Sequence, residues 1–96
     1  MSFVTIFVVM NKEGGKDACV NIARSTSADV AQRELAEGWA RGEIYAAKVS
    51  TSIANELYDL VWPRNQVLSG KQPDFVKAAS LLKTYAHSLT KCGDTP

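Results

Sequence analysis

Phe3 to Arg24 reads FVTIFVVMNKEGGKDACVNIAR, two apolar runs parted by a short cluster of turn formers. Phe3 to Asn11 is dense in β-branched and aromatic residues, the composition that packs on a pleated surface. Lys12-Glu13-Gly14-Gly15-Lys16 supplies the turn, and Asp17 to Arg24 returns with Ala18, Val20 and Ile22 alternating with Cys19, Asn21 and Ala23. The stretch therefore predicts an antiparallel hairpin whose second strand has one more apolar face. Its first strand is apolar on both faces from Phe3 to Met10, which a half-exposed antiparallel strand would not be. Something must cover each side of it.

Downstream of the hairpin, Thr26 and Ser27 offer N-cap hydroxyls and Asp29 falls where a helix dipole favours an anion. A helix is expected over about Ala28 to Arg41, with Gly42 as its stop. Ala28, Ala31, Leu35 and Trp39 share its apolar stripe, which makes Trp39 a core anchor. Glu43 to Ser50 (EIYAAKVS) has strand composition, and Ser50, Thr51 and Ser52 can cap a helix carrying Ile53, Leu57, Leu60 and Val61, ended near Trp62 by Pro63. Pro63 to Gln72 has loop chemistry. The last helix is expected over about Pro73 to Lys91, because Phe75, Ala79, Leu82, Ala86 and Leu89 form one helical line, widened by Leu81 and Tyr85.

These elements predict an α+β fold: a three-stranded, mainly antiparallel sheet of ββαβ connectivity and order 2-1-3, followed by two C-terminal helices. A crossover through the first helix places the third strand beside the first, leaving the first strand central. The chain of 96 residues suits one core, so residues 1–92 are taken as one domain and 93–96 as a frayed tail. Pattern alone leaves open whether the second face of the sheet is covered by the C-terminal helical pair or by another copy of the chain.

Composition narrows the function classes. Eleven basic and ten acidic residues give a net charge of +1, so no global field draws the protein to nucleic acid or an anionic membrane. The longest unbroken apolar run, Ile6 to Met10, is five residues, far short of the ~20 that span a bilayer. Cys19 and Cys92 lie at opposite ends of the chain, a usage that fits free thiols in a reducing cytoplasm better than a disulfide scaffold.

No recognisable catalytic, metal or cofactor pattern emerges. The single histidine, His87, falls on the polar side of the expected last helix, where a solvated cation favoured by the dipole is the ordinary outcome. Gly14-Gly15 sits in no phosphate-loop pattern. The carboxylate pairs Glu34/Glu37 and Glu56/Asp59 occupy polar helix faces, without the burial that perturbs an acid. The reading is a non-enzymatic chain with no cofactor.

Two features point to interaction. Trp62-Pro63-Arg64-Asn65, beside a loop holding Lys71, sets a large aromatic and an arginine at a helix exit, and Trp and Arg are common energetic anchors of protein interfaces. Lys77, Lys83, His87 and Lys91 share one side of the expected last helix, with no acid between Phe75 and Gly93. The expectation is a small regulatory or protein-interaction module, with a homodimer as one form of it, of the size of compact accessory proteins of bacteria or mobile elements. The alternative is a nucleic-acid binder using Arg64 and that basic face, and a second alternative is a small enzyme or enzyme subunit.

Overall fold

The computed structural model describes residues 2–38, 41–63, 70 and 72–92. The hairpin forms as its composition requires, with β1 at Phe3–Glu13 and β2 at Lys16–Ile22, antiparallel and closed by Glu13 opposite Lys16. Gly14 and Gly15 bridge them at φ 58° and 80°. Positive φ at both central residues is the backbone of a two-residue turn matched to strand twist.

The alternation expected in β2 breaks, because the pairing with β1 shifts between Val9 and Met10. This bulge turns Cys19 and Ile22 to one side of the sheet, and Val20 and Ala23 to the other. Both faces of β2 are consequently apolar.

After α1 (Ala28–Glu37) the chain enters β3 (Glu43–Ser50), then α2 (Thr51–Val61), α3 (Phe75–Tyr85) and β4 (Ser88–Lys91). The sheet has four strands in the order β2-β1-β3-β4, all antiparallel. The expected 2-1-3 arrangement is present, extended by a strand where the last helix was expected to continue. That helix stops at Tyr85; Ala86 takes extended geometry and closes it by donating from its backbone N–H to the Leu82 carbonyl. Ser88 to Lys91 then pair with Lys48 to Tyr45. Leu89 still reaches the core, from a strand rather than a helix.

α1 also ends early, at Glu37 with Gly38 as cap, not at Arg41. Ala31 and Leu35 are buried as its stripe predicts, Ala28 is exposed, and Trp39 lies outside the described residues. The hydroxyl cap of α2 is present, with the Ser50 side chain accepting from the Ile53 N–H at 3.3 Å.

Two apolar layers flank the sheet. Ile6, Val8, Met10, Cys19, Ile22, Ala47 and Val49 meet Ala54, Leu57 and Val61 of α2 and Ala78, Ala79 and Leu82 of α3. Phe7, Val9 and Ala23 meet Ala31 and Leu35 of α1 on the reverse side. The C-terminal helical pair of the same chain therefore covers the face whose partner the sequence left open. Asp17 locks α3 to the hairpin by pairing with Lys12 at 2.7 Å and with Lys83. Among the described residues, no helix is long and apolar enough to cross a membrane.

Gly42 does not stop α1; it lies just before β3, against β1. A Cβ there would run into the carbonyl oxygen of Met10 and the side chain of Val9. Gly42→Ala is expected to destabilise the fold by about 1–3 kcal/mol, as an overpacked site does. A urea midpoint equal to that of the parent would show that β3 can move off β1 without loss.

Candidate functional site

Trp62 caps α2, its backbone N–H donating to the Tyr58 carbonyl at 2.7 Å, and Pro63 prevents the helix from continuing. The indole is 45% exposed, large for a residue type that is mostly buried. It is not loose. The Arg24 guanidinium lies over the ring, 5.5 Å from its centroid, within cation–π range. Arg24 is in turn fixed by its backbone N–H, which donates to a Glu34 carboxylate oxygen at 3.3 Å. Tyr58 donates its hydroxyl to the Ala23 carbonyl at 3.3 Å. These contacts join the end of β2 to α1 and α2 around the base of the tryptophan.

A concavity opens on each side of Trp62. One is a cleft of about 400 Å³ walled by Val20, Val61 and Phe75, with Asn21, Glu13 and Arg41 at its rim. The other, about 660 Å³, is bordered by Arg24, Asn55, Tyr58 and Asp59. Asn11 also reaches the first cleft; its amide nitrogen donates to the Arg41 carbonyl at 2.7 Å, while its side-chain oxygen is buried without a hydrogen-bond partner among the described residues. Trp62 is thus a braced ridge that lines both hollows, the second richer in polar groups than the first.

The expected basic face is not assembled on one helix. Lys77 is exposed on α3, but Lys83 is paired with Asp17. His87 lies beyond the helix in a bend, its ring centroid 4.8 Å from that of Phe3. Lys91 lies on β4, 3.4 Å from a carboxylate oxygen of Glu43. Arg64 and Lys71 lie outside the described residues.

The other candidates resolve individually. Both cysteines are free thiols. Cys19 has no exposed surface and lies between the sheet and the C-terminal helices, where burial pushes its thiol from 9.0 up to about 12. A thiol held so firmly protonated is a poor nucleophile. Cys92 is half-buried beside the α1 layer. Glu34 is less solvated than its polar helix face suggests: it holds the Arg24 N–H, and its charge, after burial itself, helps raise the Tyr58 phenol above its ordinary value. Glu37, Glu56 and Asp59 are exposed. Among the described residues, no three His, Cys, Asp or Glu side chains converge as a metal site would require.

Arg24 and Tyr58 belong to the Trp62 surface although they are remote from it or from each other in sequence, and neither carries a motif that marks it. No protein-family model matches the chain, and neither does any curated protein or solved structure.

Proposed function

We propose that the chain is a small protein-interaction module without catalytic activity of its own, which presents Trp62 and Arg24 to a partner protein. The observation that carries this reading is the half-exposed indole braced by a guanidinium between two hollows. Trp and Arg dominate binding energetics where they dock into well-packed surroundings, and a braced ridge loses little side-chain entropy on binding. The sealed thiol of Cys19 and the tilted contact of His87 with Phe3 support a non-catalytic role. The ion pairs of Lys83 and Lys91 weaken the reading in which the C-terminal helix grips phosphates. Two free cysteines fit a reducing cytoplasm.

The test begins with affinity capture on the immobilised chain, followed by titration of the purified captured protein. Trp62→Ala is expected to weaken binding at least about tenfold, whereas Lys77→Glu, at an exposed position of α3, leaves it within about twofold. Raising salt from 50 to 200 mM should change the affinity little, because few phosphate-like contacts are involved. Equal affinity of parent and Trp62→Ala for the captured protein would remove the ridge from the interface. Light scattering across protein concentration assigns the partner: a mass that doubles in the parent but not in Trp62→Ala identifies a second copy.

A further inference from the structure

α1 covers only part of its side of the sheet, and the uncovered part has a composition of its own. The register of β1, β3 and β4 sets Thr5 opposite Lys48 and Lys48 opposite Ser88, with Phe3 opposite Ser50 and Thr90 opposite Ala46 on the same face. Phe3, Thr5, Lys48, Ser88 and Thr90 are all exposed, and none of the strand residues on this half of the face is acidic.

One end of the patch is built around the Phe3 ring, which is 42% exposed. The Lys48 ammonium lies 5.8 Å from its centroid, and the His87 ring is 4.8 Å away, tilted by 43°. His87 is anchored there by its backbone N–H, which donates to the Lys48 carbonyl at 2.7 Å. Lys12 and Lys83 share Asp17, and Lys91 pairs with Glu43. Lys48 has no carboxylate partner among the described residues, so its charge remains available to a ligand.

We infer that this open half of the sheet binds a single-stranded polynucleotide, with a base stacked against Phe3 and His87 and the adjoining phosphate held by Lys48. An exposed aromatic ring beside a cation that has no carboxylate partner among the described residues, on a strand surface bearing hydroxyls, offers the two contacts that sequence-tolerant single-strand binders combine. A duplex keeps its bases stacked inside and offers Phe3 nothing to stack on. The surface is distinct from the Trp62 ridge: Ser50, the strand partner of Phe3, caps the start of α2, whereas Trp62 caps its end, roughly 16 Å away along an 11-residue helix. Each surface can fail without the other.

The test is fluorescence anisotropy of labelled dT12 and rU12 against the intact protein, with a labelled hairpin duplex and unlabelled dTMP as comparators. The expected result is a single-strand Kd in the range of about 10⁻⁶–10⁻⁴ M at low salt, with the duplex weaker by about tenfold or more. Phe3→Leu, which keeps apolar bulk but removes the ring, should weaken binding about tenfold. Lys48→Gln should weaken it and lower the slope of log K against log salt by about 0.7, one single-strand phosphate contact. Lys77→Glu should leave both unchanged, and thermal melts of the three variants should match the parent. Any of the following overturns the inference: no single-strand binding, duplex binding equal to single-strand binding, displacement by dTMP at equimolar concentration, or affinity and salt slope unchanged in well-folded Phe3→Leu and Lys48→Gln.

Discussion

Leu82→Ala is expected to cost about 3 kcal/mol, within the usual range of 2–5 kcal/mol for truncating a fully buried leucine. Leu82 has no exposed surface and sits among Cys19, Ile22 and the inner residues of α2. Its loss leaves a cavity at the contact that holds α3 to the sheet. A domain of this size has about 5–15 kcal/mol of total stability, so the urea midpoint should fall by a large fraction and the melting temperature by roughly 12–24 °C. Val30→Ala, at a half-exposed position on α1, should stay within about 0.5 kcal/mol. Because the covering helices belong to the same chain, the unfolding midpoint should also be independent of protein concentration. A Leu82→Ala loss below about 1 kcal/mol, or a midpoint that rises with concentration in Trp62→Ala as well as in the parent, would mean that a second copy supplies the cover.

The sequence carried much of this architecture in local form. Ile6 to Met10 are five consecutive buried residues, Ile6, Val8 and Met10 facing α2 and α3, Phe7 and Val9 facing α1. Only a central strand with both faces covered demands that pattern, so β1 was legible in composition alone. Gly14-Gly15 and the Ser50 cap were legible because each satisfies a local backbone requirement.

β4 was hidden for an equally specific reason. Ala86 and Leu89 continue the helical spacing of Phe75, Ala79 and Leu82, and both pack against the same core. A four-residue strand with one inward side chain is too short to establish a period of two against that background. The bulge in β2 is not legible in the sequence because a one-residue shift in pairing leaves no mark on composition.

The candidate surfaces depend still more on tertiary pairing. Trp62 could be singled out by residue type, but its brace, Arg24, arrives from the end of β2. The basic stripe failed because its neutralising acids, Asp17 and Glu43, come from strands remote in sequence. Phe3, Lys48 and His87 meet only once the register of β1, β3 and β4 is known. Charge read along a helix describes a surface only when the rest of the fold contributes nothing to it.

Cys19 should make the fold alkali-sensitive in a way that one substitution removes. Burial holds its thiol protonated up to about 12, against an ordinary value of 9.0, so above pH 9 the unfolded chain releases this proton while the folded chain keeps it. The folded state then binds more protons than the unfolded state, and stability falls as pH rises, by up to ~1.4 kcal/mol per pH unit. At pH 10.5 the loss from Cys19 alone amounts to about 2 kcal/mol. Tyr58, also raised by burial, adds to the decline above its ordinary value of 10.0, as do other groups common to parent and variant. Cys19→Ala isolates the thiol: its packing cost is independent of pH, so the stability gap between parent and variant should narrow from pH 8 to 10.5 by that same ~2 kcal/mol. Thiol labelling gives the kinetic counterpart, with Cys92 reacting in the native state and Cys19 only at the rate of opening. Parallel pH profiles for parent and Cys19→Ala, or native-state labelling of Cys19 as fast as that of Cys92, would place the thiol in contact with water and undo the packing described between β2 and the C-terminal helices.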